Sequence, residues 1–428
     1  MREAIVIGAG AGGAAAAREL AGTYHVTLLE QGSAFKPFGF KLGSFERMRM
    51  AGLFVDPHMI TPLFPHMHIS NMGSMPLVWG TGLGGTTNLA TGNAIRYDGP
   101  LRELGVNLDE EFAELDAIVP QTTAHQQRWS HLTRETYDAF VAEGLDPVVM
   151  PKFMDAKRCA NCGQCVLGCR YGAKWTSDRL LDDVDPALLT TLANHRVVRL
   201  ETIGNQVASV ICKHAGKTVK LHADLVVLAA GGVGTPRVLE ASGISCEESL
   251  FTDPVLCVAA PWPGADMHRE LPMPFASQRN GYILSPYFDY LSFFFDGKWR
   301  MPAGDIFSLM IKFADDEDGH VGRRHVRETL TEHDYETAAY GVNDCLRIMN
   351  RMGIHEEETF FGMLNAGHPG GTLPLTRANA QSLHDSRLPR NLYVADSSLF
   401  PRSMGNPPIL TIMALAKKVS KAAIAALA

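Results

Sequence analysis

Four cysteines stand close together in Cys159-Ala160-Asn161-Cys162-Gly163-Gln164-Cys165-Val166-Leu167-Gly168-Cys169. The spacing C-x2-C-x2-C-x3-C lets soft thiolates wrap one iron–sulfur cluster, and Gly163 and Gly168 supply the backbone freedom such a wrap needs. Zinc is a second reading, although structural zinc usually joins two C-x2-C knuckles across a longer gap. A compact loop of free thiols without metal is a third. For a [4Fe-4S] cluster, Cys159, Cys162 and Cys165 come first as ligands and Cys169 is the expected fourth. The alternatives for the fourth are Cys212, Cys246, Cys257 and Cys345, but isolated cysteines are more often small core residues.

A second chemistry opens the chain. Ala4-Ile5-Val6-Ile7 reads as a core strand and runs into Gly8-Ala9-Gly10-Ala11-Gly12-Gly13. An Ala-rich helix to Leu20 and a second strand, His25 to Leu29, follow, and Glu30 ends that strand. Strand, G-x-G-x-x-G, helix, strand and acid is the order a dinucleotide site needs. Gly8 permits the tight turn, Gly10 lets the backbone approach a pyrophosphate at the helix N-terminus, and Gly13 allows close helix–strand packing. Glu30 is placed for a ribose hydroxyl. These residues alone leave FAD and NAD unseparated.

Three further segments extend the pattern. The loop Gly80-Thr81-Gly82-Leu83-Gly84-Gly85-Thr86-Thr87-Asn88 is too glycine-rich for regular structure and suits close approach to a phosphate or a flat ring. Asp224 to Ala230 reads as a buried strand, followed by Gly231-Gly232-Val233-Gly234-Thr235-Pro236 and a helix into Ser242-Gly243. Near the end, Asn391 to Asp396 reads as a strand closed by an acid, ahead of Gly405-Asn406-Pro407-Pro408, Thr411 and an Ala-rich helix.

With these segments placed, the chain resembles the glucose–methanol–choline oxidoreductase family. Four motifs match in order: the fingerprint with Glu30, the loop at Gly84-Gly85-Thr86-Thr87, Gly234-Thr235-Pro236 with Ser242-Gly243, and Asp396 with Asn406-Pro407 and Thr411. The resemblance implies FAD as cofactor and a small-molecule, alcohol-like substrate. It implies that His368, in Gly367-His368-Pro369-Gly370-Gly371, and Asn406 are the catalytic pair at the flavin, with Asp396 the acid near it. Some members carry a similar Gly-Cys-x-x-Gly-Ala-Lys, matched by Gly168 to Lys174. The chain departs from the family in its short length and in the placing of Asn88 and Asn93. In bacterial ferredoxins a proline follows the fourth cysteine, where Arg170 stands here.

The fold class expected is α/β: a Rossmann-like FAD-binding domain from 1–250 and 364–428, with the cysteine loop inside it, and a smaller antiparallel-sheet substrate domain at 251–363. Ile306 to Phe313 reads as an alternating strand of that sheet, and Tyr287 to Phe295 as a core strand or the wall of an apolar pocket. Asp315-Asp316-Glu317-Asp318 reads as a solvated turn. Pro65-His66-Met67-His68, with His58 nearby, is a weak metal candidate. The net charge of −7 argues against nucleic acid, and no apolar run is long enough to cross a bilayer. The early core strand leaves no room for a signal peptide, and clustered cysteines point to metal rather than disulfides, so a cytoplasmic protein is expected. The activity expected is oxidation of a CH–OH group with His368 as base and electrons leaving through the cluster to a protein acceptor. The alternatives are an electron-transfer or reductase subunit fed through the cluster, and an alcohol enzyme whose cysteine loop is structural.

Overall fold

The computed structural model describes residues 1–39, 42–52 and 60–427. Along the chain, β1 (Arg2–Ile7), α1 (Ala11–Leu20) and β2 (Tyr24–Leu29) form the first unit. Then come β3 (Val148–Val149), β4 (Leu189–Leu192), β5 (Leu225–Leu228) and α2 (Gly231–Ala241). Strands β6 (Val255–Pro261), β7 (Phe275–Gln278), β8 (Tyr282–Pro286) and β9 (Ile306–Phe313) precede the long helix α3 (Glu332–Arg351). The chain closes with β10 (Phe360–Phe361), β11 (Leu392–Val394) and α4 (Ile409–Ala426).

Two sheets divide the work, and the class is α/β as expected. The first is parallel, in the order β11-β5-β1-β2-β4, with Val6 level with Leu28 on one side and Val227 on the other. All four β5 residues are buried within the core that α1, α4 and the antiparallel strands of residues 196–221 share with this sheet. Helix α1 presents Gly12, Gly13 and Ala14 to Ala17 to the core, and small residues bring it close. A Cβ on Gly13 would stand 1.7 Å from Gly8 O, and one on Gly12 1.9 Å from Ala395 O.

The second sheet is antiparallel, in the order β10-β6-β9-β8-β7-β3. Strand β9 does not alternate: all eight residues are buried, because α3 covers one face and a cavity with its aromatic wall the other. Gly341 of α3 lets that helix close on the sheet, since a Cβ there would lie 2.4 Å from Ile311 Cγ2. The N-terminus of α3 is held by a capping box between Thr331 and Asp334.

The aromatic run corrects a sequence reading. Tyr290–Phe295 is a short helix, not a strand. Asp289 caps it by accepting the Leu291 N–H at 3.0 Å, and the local cap outweighs the strand preference of aromatic residues. Among the described residues, no helix is long and apolar enough to cross a membrane.

Candidate active site

The fingerprint turn has the form a dinucleotide needs. Gly8 sits at φ +100°, and a Cβ on it would meet Ala229 O at 2.3 Å. Gly10 is the N-cap of α1, has no side-chain cap, and a Cβ on it would meet nothing within 4 Å. An uncapped helix N-terminus opening on free space fits a pyrophosphate. The buried Glu30 carboxylate accepts the N–H groups of Ala9 at 3.0 Å, Gly32 at 2.8 Å and Gly82 at 3.0 Å. It is thereby fixed as an acceptor at the end of β2 and ties the second glycine loop to the first.

That second loop lies directly on the fingerprint. Gly84 N–H donates to Ala9 O at 2.9 Å, and a Cβ on Gly85 would stand 2.8 Å from Gly10 Cα. Thr86 accepts from Gly80 N–H at 3.0 Å and lines the neighbouring cavity. On the far side, Asp396 accepts from Gly231 N–H at 2.8 Å, Thr235 hydroxyl at 2.5 Å and Ser398 N–H at 2.8 Å. Its carboxyl therefore joins the ends of β5 and β11, and burial pushes its pKa up.

His368 lines a cavity together with Thr86, Pro407, Asp253 and Lys312. Phe38, Phe64, Trp79, Tyr287, Tyr290 and Phe294 contribute its aromatic wall. The side chain of His368 is 27% exposed, and Nδ1 lies 3.4 Å from Asp253 Oδ2 with no better-formed hydrogen bond. That leaves Nε2 as the nitrogen open to the cavity. Burial, together with Lys312, lowers the His368 pKa, while Asp253 opposes the shift. Neutral imidazole is the resulting form near pH 7.

Asp253 and Lys312 are absent from the sequence reading, yet they organise the site. Both are buried, at 1% and 2% exposure, and pair at 2.5 Å. Asp253 adopts φ +50°, and its Oδ1 also accepts Ser403 hydroxyl at 2.5 Å, Met404 N–H at 3.1 Å and Gly405 N–H at 2.9 Å. Burial opposes its ionisation, but Lys312 and His368 hold the carboxyl well below the usual range. One carboxylate thus connects His368 to the segment that carries Asn406. Asn406 is itself buried behind that wall, donating to Met404 O at 3.2 Å. Asp253 therefore links His368 to the backbone just before Asn406, while the Asn406 side chain does not line the His368 cavity.

The acidic run is no solvated turn at its first residue. Asp315 is buried and accepts the N–H groups of Thr252 at 2.8 Å and Asp253 at 2.9 Å. Glu328, beside it, is pushed up to about 10 by burial and by Asp315, so it keeps its proton at neutral pH. His66 and His68 serve structure: His66 pairs with Thr81 O at 3.1 Å and accepts Lys36 N–H at 3.1 Å, and His68 pairs with the Thr81 hydroxyl at 2.9 Å. His58 lies outside the described residues.

All eight cysteines are free. Cys159, Cys162, Cys165 and Cys169 line one small cavity, which shares Thr91 with the His368 cavity. Backbone N–H groups of Asn161 and Lys174 donate to the sulfurs of Cys159 and Cys169, each at 3.4 Å. Among the described residues, no three cysteine sulfurs lie within 4.8 Å of one another; only Asp316, His333 and Asp334 form such a set. A zinc tetrathiolate would draw its sulfurs to about 3.8 Å apart. Two buried lysines, Lys152 and Lys174, complete the cavity wall. Burial lowers Lys152 to about 7 and Lys174 to about 8, and raises Cys165 to about 11.

Comparison with known proteins places this geometry. Sequence models described as GMC oxidoreductase match residues 124–261 and 314–416, together more than half of the chain. The uncharacterized protein MJ1450 of Methanocaldococcus jannaschii is 24% identical over 98% of both chains. The long-chain-alcohol oxidase FAO1 of Arabidopsis thaliana is 22% identical over 98% of this chain and 66% of its own length. In fold, pyridoxine 4-oxidase from Mesorbium loti superposes with a TM-score of 0.71 at 16% identity, covering 98% of this chain and 99% of its own.

Proposed function

The chain belongs to the GMC oxidoreductase family, whose members are generally FAD-dependent enzymes acting on alcohols, and from that premise we propose that it oxidises the CH–OH group of an apolar alcohol with His368 as base. The observation that carries the reading is the part-exposed His368 backed by the buried Asp253 in the wall of an otherwise largely apolar cavity. FAD, when bound, accepts the hydride from the substrate carbon. The remaining work falls to side chains. Gly8, Gly10 and Gly13 give the dinucleotide its approach, Glu30 accepts from the ribose, and Gly84, Gly85, Thr86, Gly231, Asp396 and Pro407 frame the rest of the binding site. His368 Nε2 takes the hydroxyl proton, and Asp253 fixes the ring and its tautomer. Asn406, bonded to Met404 O and outside the lining of the cavity, shapes the segment that runs beside His368. The aromatic wall excludes water and binds the substrate's hydrocarbon part.

The four cysteines around the adjoining cavity are the proposed seat of a [4Fe-4S] cluster, which would supply one-electron transfer to a protein acceptor or partner subunit. The four-cysteine lining of one cavity, with two N–H groups aimed at its sulfurs, supports this choice.

Anaerobic mixing of the holoenzyme with primary aliphatic alcohols tests the reading. The flavin absorbance is expected to bleach, and the bimolecular rate to rise roughly fourfold per added CH2, from about 0.8 kcal/mol of burial each, until the cavity is filled. A flavin reduced by nicotinamide and by no alcohol would overturn it.

A further inference from the structure

Two lysine side chains are buried beside the cysteine run with no carboxylate among their hydrogen-bond partners. Lys152 is 1% exposed and Lys174 5%. Their hydrogen-bond partners are neutral: Asn93 Oδ1 and Pro272 O for Lys152, and the carbonyls of Asn88, Ala90 and Cys165 for Lys174. Carbonyl dipoles orient an ammonium group but leave its charge in place. A buried lysine keeps its charge only beside an anion, so two of them lining a single cavity point to an anion bound within it.

Four neutral thiols would not supply that anion. An oxidised cubane core with two positive charges, held by four thiolates, is a dianion that two ammonium groups neutralise. A zinc tetrathiolate has the same charge, but the sulfurs stand too far apart for it. Lys174 has a second placement of interest. It spans from Cys165 O to the carbonyls of Asn88 and Ala90, in the loop following Gly84-Gly85-Thr86, and Ala90 lines the His368 cavity.

We propose that Lys152 and Lys174 are the built-in counter-charges of a dianionic cysteinyl iron–sulfur cluster, and that Lys174 also ties the cluster loop to the loop beside the flavin. The proposal rests on the cluster reading given above. Held by these cysteines, such a cluster would supply one-electron transfer, and two ammonium groups beside it would favour its more negative, reduced form and so raise its potential.

The test uses full-length protein purified anaerobically, as wild type, Lys152→Met, Lys152→Arg and Lys174→Met. Iron and acid-labile sulfide per chain, FAD per chain and the cluster midpoint potential are measured. Lys152→Met is expected to hold iron about tenfold or more weakly against a chelator, and to reduce at a lower potential, with FAD content unchanged. Lys152→Arg keeps the charge and is expected to restore both values. Lys174→Met is expected to lower the potential in the same direction. Unchanged iron retention and potential in both methionine variants would overturn the counter-charge role while leaving the cluster reading intact. A wild-type protein without iron or sulfide would overturn the cluster reading itself, and this proposal with it.

Discussion

Replacing His368 by alanine is expected to slow anaerobic flavin reduction by about 10²- to 10⁴-fold, with FAD content unchanged. The size follows from what is lost. Nε2 is the ring nitrogen open to the cavity, and Nδ1 is committed to Asp253 at 3.4 Å. Without the imidazole the nearest acceptor is the Asp253 carboxylate, which Lys312 holds well below the usual range and so makes a weak base. The wild-type rate should depend on pH in a definite direction. The His368 pKa is lowered by burial and by Lys312, against the opposing pull of Asp253. The neutral base is therefore already formed at pH 7, and the rate should fall only on the acid side, with a midpoint below about 6.5. That acid limb should vanish in His368→Ala. Stability should share the direction: a histidine held neutral in the fold weakens folding as pH drops through its unfolded value. Stopped-flow reduction across a pH series checks both points, and an alanine variant that bleaches at the wild-type rate would remove His368 from the chemistry.

Replacing Asp253 by alanine should cost about 3–5 kcal/mol of stability, because it strands the Lys312 ammonium in the interior. Asp253 Oδ2 pairs with Lys312 at 2.5 Å, and Oδ1 gathers Ser403, Met404 N–H and Gly405 N–H. Loss of the carboxylate should loosen the wall that carries Asn406 and lower the His368 pKa further. The milder Asp253→Asn keeps the shape and isolates the charge. Combining it with Lys312→Met removes both ions, so the double variant should be more stable than the sum of the single losses implies. Denaturant melts of the four proteins decide this. Additive losses would mean the two residues do not act as a pair.

These two residues mark where the sequence stops being legible. The dinucleotide half could be read because its evidence is local. A strand, a glycine turn, a helix and an acid follow one another within 30 residues, and each glycine is demanded by a near-contact such as Gly13 on Gly8 O. Asp253 and Lys312 meet only across β6 and β9. In sequence, Lys312 is the single charged residue in Ile306–Phe313, where alternation implies a solvent-facing position. Both faces of the sheet are covered, so the period carries no information there. The Tyr290–Phe295 helix was hidden for a related reason: its cap, Asp289, is one residue beside six with strand or core character. Asp315 reads as surface until Thr252 and Asp253 supply two backbone donors. Lys174 did carry a signal, standing at the end of Gly168 to Lys174, but only the fold brings Asn88 and Ala90 to its ammonium group.

The most direct measurement of the central claim is a deuterium isotope effect on flavin bleaching. The FAD-loaded protein is mixed anaerobically with one apolar primary alcohol, protiated or deuterated at the carbinol carbon, in a single turnover. Cleavage of that C–H bond at the flavin, with His368 receiving the hydroxyl proton, requires slower bleaching with the deuterated alcohol and a further loss of rate in His368→Ala. Flavin that stays oxidised in the presence of alcohols, or bleaches only when an external electron donor is added, would contradict alcohol oxidation at this site.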